Sequence, residues 1–221
     1  MISGKTIPAA VSEQGFAARI CGSDSLKGKI YMIQITYLGM FTFITICWIV
    51  ARIICARVNK SVNIRYELKL LTIYACLVVI ARYVYFPFEL ENGHIPPVIF
   101  DIHRAYPFKC NFKILLFLEQ KYVGYKINIL GNIAMFIPVG MALPFCYKKL
   151  SNIIKVTLIG LCWTVFIEIS QLPLYQRRTD IDDVLLNTLG VLIGAVIYFE
   201  AKAVYEFIKE DKKSSKMITE N

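Results

Sequence analysis

Charged and amide side chains interrupt the apolar stretches of this chain at a few places: Arg82, Asn128 with Asn132, Glu168 with Gln171, and the run Arg177, Arg178, Asp180, Asp182, Asp183 and Asn187. Their types define the available chemistry. Two carboxyls, Glu168 and Asp183, can serve as acid and base where burial separates their proton affinities. Arginine can hold a carboxylate or phosphate through two parallel hydrogen bonds, and carboxamides can orient it. On a helix, Asn128 and Asn132 (i, i+4) share a face, as do Glu168 and Gln171 (i, i+3). Asp180, Asp183 and Asn187 fall on one stripe, which Gly190 and Gly194 continue as a small-x-x-x-small seam. A charge at membrane depth costs about 2.5–3.5 kcal/mol, so Glu168 and Arg82 require partners. The candidates are Glu168 with Arg82, Arg177 or Arg178, and Asp180 and Asp183 with the same arginines. Four acids against three arginines come close to neutrality, as a buried network should.

The elements that must carry these residues are membrane helices. Of the 221 residues 57% are hydrophobic and 19% charged, and the mean hydropathy is +0.54. Such apolar content excludes intrinsic disorder. The net charge of 25 − 16 = +9 fits Lys and Arg flanking membrane segments better than a nucleic-acid surface. Five segments are apolar enough to cross a bilayer: residues 30–51, 70–88, 127–147, 156–174 and 184–199, the last extendable to 203. Residues 1–29 hold Lys5, Arg19, Lys27 and Lys29 without the apolar core of a signal peptide, so the first segment is expected to stay as an anchor. The expected divisions are 1–67 (tail, first helix and cytoplasmic loop), 68–203 (a four-helix membrane domain) and 204–221 (a basic cytoplasmic tail). Pro96, Pro97 and Pro107 break the long loop 89–126, within which 112–123 reads as a surface-lying amphipathic stretch.

Five crossings place the tails on opposite sides. With the N-terminus outside, the inner segments hold 13 Lys and Arg and the outer ones 11, and the inner charges lie densely beside helix ends. This favours an extracytoplasmic N-terminus and a cytoplasmic C-terminus. Topology then brings every polar interruption to one depth, because the second and fourth segments end where the third and fifth begin. That depth is extracytoplasmic in this orientation. Gly131, Pro138, Gly140 and Pro144 give the third segment sites for close approach or a kink. Of the seven cysteines, Cys47, Cys55, Cys76, Cys146 and Cys162 read as small hydrophobes, while Cys21 and Cys110 alone could face an oxidising side. His94 and His103 are too few for a metal site, so no metal or cofactor is expected.

Three strings resemble a known family. NILGNIAMFIPVG at 128–140 is similar to the N-x-x-x-N-x-x-x-F-x-P-x-G motif of the VanZ family, and EISQ at 168–171 to its E-x-x-Q. RTDIDDVLLNTLG at 178–190 resembles its R-x-x-D-x-x-D-x-x-x-N-T-x-G, with the first spacing one residue shorter, which leaves Arg177 and Arg178 both eligible for the family arginine. Tyr106-Pro107-Phe108 is similar to a short element before the second core helix. The likeness covers residues 68–200, so the first helix is an addition to a four-helix core. It implies a bacterial plasma-membrane protein, from a family whose founding member is linked to resistance to teicoplanin and related lipoglycopeptides.

Three functions compete. One is a cell-envelope factor whose outward cavity takes a membrane lipid or lipid-linked cell-wall intermediate, with Arg82, Asn128, Asn132, Gln171, Arg177, Arg178, Asp180 and Asn187 as ligand-binding residues. Another is an intramembrane enzyme acting on a lipid head group, with Glu168 and Asp183 as catalytic carboxyls. A small transporter is disfavoured by the apolar inner halves of the helices. The Gly190/Gly194 seam serves either an oligomer or packing within the chain.

Overall fold

The computed structural model describes residues 33–60, 62–105, 110–111, 125–177 and 179–219. The basic N-terminal tail with Cys21, the Tyr106–Phe108 triplet, the 112–123 stretch and Arg178 lie outside the described residues. Among the described residues five helices are long and apolar enough to cross a membrane, and the all-α membrane fold expected from composition holds. They are α1 (Tyr37–Asn59), α2 (Ile64–Ile80, continued by a π-helical turn over Ala81–Tyr85), α3 (Tyr125–Cys146), α4 (Ile153–Gln171) and α5 (Ile181–Thr219).

Caps set several boundaries. The Thr36 hydroxyl accepts a hydrogen bond from the Gly39 N–H at 3.1 Å and starts α1. Helix α1 therefore begins later than the apolar run and continues past Arg52 to Asn59. Asn63 starts α2 in the same way, its side chain accepting from the Tyr66 N–H at 3.2 Å. Arg52 and Glu67, which the sequence places in a loop, thus stand on facing helices. Arg52 donates from Nε to Oε2 at 2.7 Å and from Nη2 to Oε1 at 2.5 Å. A two-pronged charged pair of this kind, held at partly exposed helix ends, should couple by about 1 kcal/mol. We expect that coupling from a double-mutant cycle of Arg52→Met and Glu67→Met followed by SDS unfolding; strict additivity would refute it. Helix α5 overruns its expected end at 203 and carries the basic tail as helix to Thr219.

Helices α3 and α5 form the centre. A Cβ on Gly190 or Gly194 would strike the backbone carbonyl of Ile133 or Ile137 in α3, and one on Gly140 would strike that of Val191 in α5. The glycine seam is therefore filled from within the chain. Gly160 brings α4 against the Val191 side chain, and Leu70, Ile73 and Ile80 of α2 join Phe136, Val139, Val156 and Val191 in one buried cluster. Gly131, by contrast, faces no described atom within 4 Å. Helix α1 buries no residue and meets α2 through a Thr45–Tyr74 hydroxyl pair at 2.8 Å and the Trp48–Tyr74 ring contact, so it stands outside the four-helix core. Phe43, Leu130, Phe166 and Ile197 point outward, as side chains against lipid do. The cysteines divide: Cys76 and Cys146 are buried, while Cys47 and Cys162 are exposed.

Short β-pairings, absent from the sequence expectation, cap one end of the bundle. Strand β1 (Ile33–Ile35) pairs antiparallel with β2 (Val98–Phe100). The α4–α5 connection joins β2 through a bridge between Phe100 and Leu174 and a hydrogen bond from the Tyr175 N–H to the Ile99 carbonyl at 2.9 Å. Phe86, Val98 and Leu174 bury together beneath this ribbon. Strand β3 (Cys110–Asn111) pairs in parallel with β4 (Thr179–Asp180), just before α5.

Candidate functional site

The site is built where α2 and α4 end and α3 and α5 begin. The last carbonyls of a helix lack partners within it. At the end of α2 two side chains from beyond the helix supply them. Gln171, at the end of α4, donates from Nε2 to the Val84 carbonyl at 2.8 Å. Arg177, in the α4–α5 connection, donates from Nε to the Tyr85 carbonyl at 3.3 Å, and from Nη2 to those of Tyr83 at 3.3 Å and Phe86 at 2.5 Å. A cation on helix-terminal carbonyls also suits the helix dipole. Burial lowers the Arg177 pKa from its ordinary value, and the Asp183 and Glu168 carboxylates oppose that shift.

The start of α5 is stitched to the end of α4. Glu168 is 4% exposed. Its Oε2 accepts the Asp180 N–H at 3.1 Å, and its carbonyl accepts the Thr179 hydroxyl at 3.0 Å. Asp180 caps α5, accepting the Asp182 N–H at 3.0 Å. One turn further, Asp183 accepts from Asn132 Nδ2 at 2.6 Å, which ties α5 to α3. Asn187 is 2% exposed, and its side-chain oxygen has no hydrogen-bond partner among the described residues.

These groups surround a cavity of about 310 Å³ lined by Tyr83, Val84, Asn128, Asn132, Glu168, Gln171, Gln176, Arg177, Asp183 and Asn187. Seven residues singled out in the sequence thus share one chamber: Asn128, Asn132, Glu168, Gln171, Arg177, Asp183 and Asn187. Asp180 is not part of the wall and contributes its backbone N–H to Glu168. Arg82 is displaced from the expected network: it donates to the Pro87 carbonyl at 2.8 Å and lies over the Tyr83 ring. Among the described residues the ion pairs are Arg52–Glu67 and Lys202–Glu206, so the expected bridges from Glu168 and Asp183 to Arg82 and Arg177 are not formed. The reason is local. Helix ends present bare N–H and C=O groups beside the buried charges, and these take the hydrogen bonds that opposite charges were expected to take. Arg178, the other arginine considered, lies outside the described residues.

Sequence reasoning missed Tyr83, Val84 and Gln176. The first two reach the wall in the π-helical turn, whose wider spacing departs from the 3.6-residue period used to assign faces. Gln176 accepts the Ile99 N–H at 2.9 Å, so the capping ribbon positions it. Its place beside Arg177 was the available signal.

A second concavity of about 560 Å³ adjoins the chamber and is lined by Tyr83, Phe88, Glu89, Ile127, Asn128, Gly131, Asn132, Ala134, Met135 and Arg177. Tyr83, Asn128, Asn132 and Arg177 border both spaces. The chamber can accept hydrogen bonds and place two carboxyls on one bound group.

Comparison with known families matches residues 69–204, more than half of the chain, to a family described as VanZ/LLP1. The matched stretch runs from the first turns of α2 into α5 and leaves out α1. No curated protein and no solved structure matches.

Proposed function

Because the chain belongs to the VanZ/LLP1 family, we propose that it is a bacterial plasma-membrane protein whose polar chamber binds a membrane lipid or lipid-linked cell-envelope component. One observation carries the reading. Amides and carboxyls from separate helices of an otherwise apolar bundle line a single cavity, and one buried polar atom there, the Asn187 side-chain oxygen, has no partner among the described residues. Intramembrane polar groups are costly and mark binding sites or relays. The density of Lys and Arg beside helix ends supports a chamber that opens toward the extracytoplasmic face. Occupancy of an envelope lipid there would change access of teicoplanin-like antibiotics to their target, and resistance is the phenotype that this predicts.

Asn187→Leu tests the reading. The substitution keeps the volume close and removes an oxygen that no described group satisfies. An unsatisfied buried group costs about 1–3 kcal/mol, so the variant should unfold at or above the wild-type temperature. Lipid co-purifying with the full chain, measured by native mass spectrometry, should fall at least tenfold. Unchanged lipid in the variant would refute the binding site.

A second reading follows from the shared chamber of Glu168 and Asp183: acid–base chemistry on a bound head group. It requires purified protein to convert a lipid, and Glu168→Gln to stop conversion while leaving bound lipid in place. Lipid binding without conversion would remove it.

A further inference from the structure

We infer that the ligand is a two-part lipid: a head group rich in hydrogen-bond donors, hydroxyl or ammonium, seated in the chamber, with its hydrocarbon chain laid along the adjoining groove. The inference rests on the chamber being a binding site, and it adds the chemical class and the second site.

The first argument is the balance of donors and acceptors. Asn187 offers a side-chain oxygen with no partner among the described residues. Glu168 and Asp183 accept through Oε2 and Oδ1, and the second oxygen of each takes no hydrogen bond among the described residues. Of the donors in the wall, Gln171 Nε2 gives one hydrogen bond to Val84, Asn132 Nδ2 one to Asp183, and Arg177 turns Nε and Nη2 to backbone carbonyls. Two carboxyls face one guanidinium in the wall. Open carboxyl oxygens beside a guanidinium turned to the backbone take hydroxyls or an ammonium better than a phosphate monoester, which brings oxygen acceptors and negative charge to a wall that already holds both. The binding residues read from the sequence suited an anion held by arginines; with Arg82 turned to Pro87 and Arg177 drawn by Nε and Nη2 to the carbonyls at the end of α2, the geometry points the other way.

The second argument is continuity. Ile127, Ala134 and Met135 line the groove on α3, Phe88 lines it on the α2 side, and Asn128, Asn132, Tyr83 and Arg177 form its border with the chamber. Ile127, Ala134 and Met135 belong to the membrane-crossing stretch of α3, so a chain in the groove lies at acyl depth. Gly131 borders the groove, and a Cβ there meets no described atom within 4 Å. Its missing side chain widens the groove and is not needed for helix packing.

The test is a lipid titration of the full chain in detergent, read by native mass spectrometry. Three lipids with identical acyl chains are compared: a glucosyl diacylglycerol, a phosphatidylethanolamine and a phosphatidic acid. Wild type should bind at least one of the first two at least tenfold more tightly than phosphatidic acid; the tighter of them identifies the donor as hydroxyl or ammonium. Gly131→Phe should fold normally and weaken that lipid at least tenfold by occupying the groove. Phosphatidic acid binding as tightly as the others overturns the head-group class, and Gly131→Phe binding within twofold of wild type overturns the groove. If Asn187→Leu loses lipid while Gly131→Phe retains it, the chamber stands and the groove falls. If no lipid binds wild type, both fall.

Discussion

Gly194→Val is expected to abolish recovery of folded protein from solubilised membranes. The new Cβ would overlap the Ile137 carbonyl and come within 3.0 Å of the Gly140 Cα. Both are backbone atoms, so no rotamer change relieves the contact and α5 must move away from α3. Overpacking where side chains can shift costs about 1–3 kcal/mol; here a helix has to move, and the loss should exceed about 3 kcal/mol. Fluorescence-detected size exclusion of a tagged chain should show the monodisperse peak lost for Gly194→Val and kept for Gly131→Ala, whose Cβ meets no described atom. A normal peak for Gly194→Val would mean that the central helix pair is packed otherwise.

The second large effect is expected at Arg177→Met. Its guanidinium gathers the carbonyls of Tyr83, Tyr85 and Phe86. A thioether leaves all three without that donor, and an unsatisfied buried acceptor costs about 1–3 kcal/mol. Water entering the chamber will recover part of this, so a net loss of about 3 kcal/mol is expected. Arg177→Lys should restore a fraction, because an ammonium is a compact donor that cannot span carbonyls as a planar fork does. Arg82→Met removes the same charge but one bond, to Pro87, and should cost about 1 kcal/mol. SDS or thermal unfolding of the purified variants gives the ranking. Equal losses at the two arginines would show that charge, not the capping of α2, is what Arg177 supplies.

The contrast between those arginines shows how far the sequence could be read. Helix number and type were legible because apolar runs of spanning length leave little alternative. The common depth of Asn132, Glu168 and Asp183 followed from connectivity alone, since alternate helix ends meet on one side. Their hydrogen-bond partners did not follow. Side-chain charges are visible in a sequence, whereas the N–H of Asp180 and the carbonyls near Tyr85 become strong partners only once helix ends are placed. The boundaries of α1 were likewise hidden: the apolar run begins before Thr36, and a hydroxyl cap with a strand pairing to Val98–Phe100 moved the start. The π-helical turn at Ala81–Tyr85 shifted which residues face inward, bringing Tyr83 and Val84 to the wall and leaving Arg82 off it.

Helix α5 begins beside the chamber at Asp182 and Asp183 and continues without interruption through Lys212 and Lys213. Its 39 residues rise about 58 Å at 1.5 Å each, nearly twice the roughly 30 Å of a bilayer's oily interior. A change of about 5° in its tilt about the acidic foot would carry the lysines near its far end through about 4 Å. A fluorophore near that tip would therefore register, on the opposite surface of the membrane, whatever rocks the helix at its base.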